Sequence, residues 1–372
     1  MVLRLDPAQH TVVLAILATL VSCCVVLVPP FAGVLSDRAR KRGGDRRVEV
    51  AVALGIDAVA LVAMGFSATV LQLGIGLVVS MAALTAASTV YQAVLPEIVP
   101  RTAWGFASGV RGAMTLFGTI AGLATAALLS PIPALIATAA IVVITAFSLL
   151  TIPNVAPTLR QAQGDNDRKA HAVIRDRHDL IVTMFARAFI VLGMTLLNTY
   201  VLYFFNDILH AQNASLNTGF FAGCALVGAI ASSIWAGTVS DRVDRRWIVA
   251  ASGVPMTLAA LGFALFPTAS GILIYAVLFG LGFGGVFSVG WALALDAIPE
   301  LGDVARDLGI WATLSSIPSI FAPPLGAFFI QHAPTPALGY RIMFAVAAFA
   351  FAAGSSIVLL VRKRVQPVAV PA

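Results

Sequence analysis

Eleven long apolar runs divide this chain, and each is about as long as a bilayer crossing requires. They cover residues 11–35, 48–68, 70–92, 105–129, 132–152, 180–205, 217–239, 247–267, 271–295, 309–331 and 340–361. A helix crossing a ~30 Å hydrocarbon core needs about 20 apolar residues, whereas a barrel strand needs only about 10. A helix also satisfies its own backbone hydrogen bonds in lipid. The expected fold class is therefore an all-α polytopic membrane protein with the lipid bilayer as its partner. Composition agrees: 59% of the 372 residues are hydrophobic and 11% are charged, against about 25% charged in a soluble chain. A soluble enzyme, a disordered chain and a nucleic-acid-binding protein are excluded, although the net charge is +6.

The placement of the basic residues tests the count. Nineteen of the 23 Lys and Arg residues fall in alternate inter-span segments or the tail. Loop 36–47 holds Arg38, Arg40, Lys41, Arg42, Arg46 and Arg47; Arg101 lies in the next such segment; loop 153–179 holds five more; Arg242, Arg245 and Arg246 follow, then Arg306 and the three in the tail. The intervening segments near 69, 130, 206–216, 268–270 and 332–339 contain none. By the positive-inside rule the basic loops and the C-terminus are cytoplasmic. With eleven spans, the N-terminus of the chain as written lies outside, and the protein is integral to the plasma membrane.

No catalytic or metal constellation stands out. Cys23, Cys24 and Cys224 lie inside apolar runs without ligand spacing, as small apolar fillers do. Gly280-Leu281-Gly282-Phe283-Gly284-Gly285 matches the dinucleotide pattern, but it sits in the middle of a span with no preceding strand. It reads as a close-packing stripe, and Gly118-x3-Gly122 reads the same way. Neither an enzyme nor a cofactor is expected.

An internal repeat organises the rest. Gly33-Val34-Leu35-Ser36-Asp37-Arg38-Ala39-Arg40-Lys41-Arg42 is echoed by Gly237-Thr238-Val239-Ser240-Asp241-Arg242-Val243-Asp244-Arg245-Arg246, at a constant offset of 204. Leu95-Pro96-Glu97 is echoed by Ile298-Pro299-Glu300 at an offset of 203. Both copies of the longer motif fall in basic loops, so the halves are parallel repeats, an arrangement found in the two halves of major facilitators.

These residues resemble the loop signature of the major facilitator superfamily, found between its second and third helices and again between its eighth and ninth. Tyr91-x5-Glu97-x2-Pro100-x4-Gly105 is similar to the segment after its fourth helix, with Trp104 where that pattern has Arg. The resemblance implies two pseudo-symmetric bundles: residues 1–152 with five spans and 180–361 with six, joined by a central loop 153–179 and followed by a tail 362–372. The superfamily has twelve helices, so the first is expected to be missing here.

The resemblance also implies a gate built from Gly33, Asp37, Arg38, Arg42, Glu97, Gly237, Asp241, Arg242, Arg246 and Glu300. Asp37 is expected to face the start of the span near Gly309, and Asp241 that near Gly105. Arg38, Arg42, Arg242 and Arg246 are expected to pair with Glu97 and Glu300. Charge buried at mid-membrane is costly and marks function by default. Asp57, Arg111 and Arg187 stand out on that ground, and Asn198 and Tyr203 lie in the most polar stretch of any span. Asp57 reads either as a proton carrier or as the partner of an arginine; the arginines either line a cavity or snorkel. The function implied is alternating-access transport of a small solute by a bacterial secondary transporter. A sugar or metabolite coupled to H+ or Na+ is the leading expectation, with symport favoured. A drug or metabolite exporter and an inactive truncated remnant are the alternatives.

Overall fold

A computed structural model describes residues 10–151, 177–209, 214–268, 271–298 and 304–362. Glu300 and most of loop 153–179 lie outside the described residues. All regular structure within them is helical. In chain order the α-helices are α1 (His10–Lys41), α2 (Arg46–Gly65), α3 (Val70–Ile98), α4 (Trp104–Leu128), α5 (Pro131–Thr151), α6 (His178–Asp207), α7 (Ala214–Val239), α8 (Arg245–Leu265), α9 (Gly271–Ala297), α10 (Val304–Ser316), α11 (Pro318–His332) and α12 (Pro336–Ile357). Among the described residues, nine stretches are long and apolar enough to cross a membrane, with Val304–His332 counted as one. Large side chains such as Phe31, Val59, Leu71, Phe147, Val227, Trp235 and Phe349 stand exposed along these helices. That pattern suits a lipid solvent.

The tenth apolar run is not one helix. It breaks at Ile317 because Pro318 cannot donate the hydrogen bond that would continue α10. The first charged loop also differs from the expected one. Residues 36–41 belong to the end of α1, whose last turn carries Arg38, Arg40 and Lys41. Cations there complement the negative end of the helix dipole, so the helix persists beyond its apolar stretch.

Contacts divide the chain into two compact units that do not follow the sequence halves. The first comprises residues 1–98, 119–175 and 298–313; the second comprises 99–118, 176–297 and 314–372. In the first unit α2 packs on α3 and α5, and α3 packs on α1. In the second, α9 packs between α7 and α8, and α12 packs on α6 and α8.

The glycine stripe of α9 explains the tightest of these contacts. A Cβ on Gly280 or Gly284 would collide with the backbone of Ala225 or Ala229 on α7, and one on Gly282 with Ser252 and Met256 on α8. Gly118 and Gly122 differ from their expected packing role: a Cβ on either meets nothing within 4 Å among the described residues. Away from the basic helix ends, the second unit is closed by aromatic packing. Phe204 meets Phe263 and Phe344 edge-on at 5.7 and 5.1 Å, and Phe263 stacks on Phe344 at 5.2 Å.

Gly280→Leu is expected to lower the stability of the detergent-solubilised protein by at least the ~1–3 kcal/mol typical of overpacking. Gly118→Leu should leave the melting temperature unchanged. A thermal melt of both variants checks the contrast.

Candidate functional site: two carboxylate latches at the basic helix ends

The first four N–H groups of any α-helix lack intrahelical partners, and the helix dipole makes that end positive. Asp37, near the end of α1, uses this. Its carboxylate accepts hydrogen bonds from the backbone N–H of Ala305 (3.3 Å) and Arg306 (2.8 Å) in the first turn of α10. In the second unit, Asp241 accepts from the N–H of Gly105 (2.7 Å) and Phe106 (2.8 Å) in the first turn of α4. The two latches stand at corresponding positions of the 204-residue repeat.

Each latch sits on a close helix crossing. A Cβ on Gly33 would strike the backbone of Ala305, and one on Gly309 the carbonyl of Pro29. A Cβ on Gly237 would strike the backbone of Gly105 and Gly109. The motif glycines are therefore glycine because the backbones approach too closely for a side chain. Further along each crossing a hydroxyl bonds to a carbonyl. Thr313 Oγ1 donates to Val26 O, and Ser233 Oγ donates to Gly109 O, both at 2.9 Å. Along the helix that carries its carboxylate, each seam thus runs about two to three turns further.

Around Glu97 the arginines differ from expectation, whereas the pairing expected with Glu300 lies outside the described residues. Glu97 pairs with Arg40 (3.2 Å) and Arg46 (3.6 Å) rather than with Arg38 or Arg42, which are exposed. Arg46 is almost fully buried and also pairs with Asp37. Arg245 plays the matching part in the second unit, bonding Asp241 at 3.2 Å and Asp296 at 2.5 Å. Arg242 is exposed. Arg246 bonds Asp244 (3.0 Å) and the carbonyl of Val361 (2.5 Å). The physical reason is geometric. Arg46 and Arg245 begin α2 and α8, so their side chains start inside the packed layer, whereas Arg38, Arg42 and Arg242 point to its outside.

A tripeptide carries this second layer. Asp45-Arg46-Arg47 and Asp244-Arg245-Arg246 are identical, at an offset of 199. In each, the Asp caps the following helix by accepting the N–H of the second arginine, at 3.0 Å in Asp45 and 3.1 Å in Asp244. Sequence reasoning that kept the 204 offset missed Arg46, Arg245 and Asp296. The loop is five residues shorter in the second copy, and the identical tripeptide was the available signal. Outside the spans, the Arg47 guanidinium hydrogen-bonded to Asp45 holds its carboxyl below the usual carboxylate range.

The deep polar residues are dispersed. Asp57 is buried on α2 and accepts a hydrogen bond from Ser80 Oγ on α3 at 2.5 Å; its partner is a hydroxyl, not an arginine. Arg111 on α4 lies over the ring of Trp291, with its guanidinium carbon 4.5 Å from the ring centre, and 5.7 Å from that of Phe287. Arg187 is half-buried on α6. Asn198 and Tyr203 are exposed on α6, and Asp207, its last residue, accepts from Tyr340 OH at 2.7 Å. Tyr200 donates to the carbonyl of Pro323 at 2.5 Å.

The Major Facilitator Superfamily model matches residues 5–182 and 183–372, once on each half. The chain belongs to the Major Facilitator Superfamily. This facilitator is accordingly an integral membrane transporter and not an enzyme. Among solved structures it is similar to the fucose:proton symporter FucP of E. coli, with a TM-score of 0.70 at 14% identity over 94% of this chain and 92% of that one. It is also similar to a bacterial homologue of the iron transporter ferroportin, with a TM-score of 0.69 at 16% identity over 96% and 92%. A third is the human organic anion transporter MFSD10, with a TM-score of 0.71 at 15% identity over 94% and 85%. At these identities the likeness is one of fold. No curated protein matches the chain.

Removing one member of a buried ion pair leaves its partner desolvated, at a typical loss of about 3–5 kcal/mol. Arg46→Ala and Arg245→Ala should therefore lower the melting temperature of the purified facilitator markedly. Arg38→Ala, Arg42→Ala and Arg242→Ala should leave it within error of the parent.

Proposed function

We propose that this facilitator moves a small metabolite across the plasma membrane by alternating access, and that the two latches hold its basic end closed. The observation that carries the reading is the repeated joining of opposite sequence halves. Asp37 on α1 grips the start of α10, and Asp241 on α7 grips the start of α4. Substrate would bind between the two sequence halves near mid-membrane, as in other repeat-built transporters. The basic end is the cytoplasmic one by the positive-inside rule.

The energetics suit a switch rather than a rivet. A hydrogen bond to a charged group contributes about 1.5–3 kcal/mol net. Helix-end electrostatics contribute about 0.3–1 kcal/mol more. Two such latches bias an equilibrium by a few kcal/mol, and every 1.4 kcal/mol is tenfold. Substrate and a coupling H+ or Na+ can then reverse the bias by differential binding. Asp57 is the carboxylate within a span best placed to carry a proton, since Ser80 bonds it without adding a compensating charge.

Asp37→Asn and Asp241→Asn keep the side-chain shape and remove the charge. Each should shift the equilibrium toward the state open at the basic end by about tenfold, and the double variant further. Labelling by a membrane-impermeant maleimide checks this. Cysteines placed at the opposite ends of α4 and α11 should label more slowly in the variants, and unchanged rates would remove the gating role.

A further inference from the structure

We infer that α2 and α3 hold an acyl chain of one phospholipid in a slot that the second half of the repeat fills with its own side chains. The site is independent of which solute is carried.

The slot lies within the first unit. It has a volume of about 990 Å³ and runs between Val52, Ile56 and Val59 on α2 and Ile75, Gly76 and Val79 on α3. The five large side chains among these are exposed. The slot therefore opens sideways, and beside a membrane span the surroundings are hydrocarbon.

The repeat shows what is missing from it. The offset of 199 between the two Asp-Arg-Arg tripeptides persists into the next helix. Thr69 and Thr268 each accept, at 3.2 Å, the N–H three residues on, from Gln72 and Gly271. At that offset Gly55 and Gly76 correspond to Val254 and Tyr275. The Tyr275 ring stands edge-on to Phe263 at 5.0 Å and donates its hydroxyl to the carbonyl of Phe266 at 2.9 Å. It lies so close to Gly262 that a Cβ there would strike it. Gly262 and Phe266 correspond to Ala63 and Ser67, and both of these line the slot. The same helix pair thus folds with this space filled, and two glycines leave it open in the first unit.

Three features select the occupant. The slot is narrow, because α2 packs directly on α3 and the opening is that of two absent side chains. A helix about 10–12 Å across does not enter such an opening. The slot is also long. Val52 to Phe66 is 14 residues, about 21 Å at 1.5 Å per residue. That accommodates a chain spanning one leaflet, about 15 Å, half of the ~30 Å hydrocarbon core. Finally, its polarity is one-ended. Ser67 and Gln72 lie at the helix ends away from Arg46, and among the described residues no charged side chain lines the slot. The exposed Gln72 amide can donate there to an ester or phosphate oxygen. An unfilled slot would leave its walls without dispersion partners, and phospholipid is the long apolar molecule that every bilayer supplies.

The test uses the full chain purified in detergent, with phosphatidylcholine as the probe and native mass spectrometry as the readout. One phosphatidylcholine per chain should be retained. Gly55→Leu enters the slot at a position where a Cβ meets nothing within 4 Å among the described residues. Ala63→Gly together with Gly76→Tyr copies the second half and displaces the flexible Met64 side chain. Each should lower the retained lipid at least tenfold. Leucine is a better helix former than glycine, so Gly55→Leu should melt, free of lipid, no lower than the parent. Added phosphatidylcholine should raise the thermal midpoint of the parent and not that of Gly55→Leu. Glycerophosphocholine, the head group without chains, should raise neither. Equal retention in the parent and both variants overturns the inference, as does a parent that retains no phosphatidylcholine. A midpoint raised equally by glycerophosphocholine assigns the binding to the head group and overturns it. A two-chain mass without lipid, converted to one chain by Gly55→Leu, assigns the slot to a second copy and overturns it.

Discussion

The contact on which the rest of the structure depends is a carboxylate set against the bare N-terminus of a helix from the other sequence half. Asp37 and Asp241 each receive two backbone N–H groups that no intrahelical acceptor can satisfy. Everything near them follows from bringing that carboxylate close enough. Gly33 and Gly237 have no side chain because the crossing helices leave no space for one. Arg46 and Arg245 neutralise the carboxylates from behind, and Glu97 and Asp296 share the arginines in turn. The result is a short chain of alternating charge, in which no buried ion stands without an opposite one.

In the proposed gating role, the same chain of charge would make the contact reversible. A carboxylate bonded to backbone N–H groups is held by geometry, and a small sliding of one helix start removes both bonds together. Apolar packing alone would yield gradually. The hydroxyl bonds of Thr313 and Ser233 extend each seam by about two to three turns of the helix that carries the carboxylate. Under the proposed gating role, closure and opening would then be discrete states, which is what alternating access needs.

Much of this was legible in the sequence. Apolar run length and the alternation of basic loops gave the helices and their order, because lipid tolerates few alternatives. The repeated Gly and Asp marked the latches, since residues needed for a backbone approach and for a bare helix end cannot be exchanged freely. The arginine pairing was not legible in the same way. Side-chain partners depend on where a helix begins, and the five-residue slip between repeats moves that start. Arg38 and Arg42 read as gate residues by position in the motif, yet α1 continues past Arg38 to Lys41 and both arginines are exposed. Asp57 was visible as a buried charge, but only three-dimensional packing reveals Ser80 as its partner. Asn198 and Tyr203 share a polar stretch of sequence without sharing a helix face, because five residues rotate a helix by one turn and about 140° more.

The central claim is that one charge holds each seam. Spin labels on α7 and α4, flanking the Asp241 seam, report it directly by electron–electron distance measurement in lipid nanodiscs. Introducing Asp241→Asn should add a longer-distance population to that pair, while a second label pair across the Asp37 seam on α1 and α10 reports how far opening at one latch is shared by the other. An unchanged distance distribution across the α7–α4 pair would contradict the account.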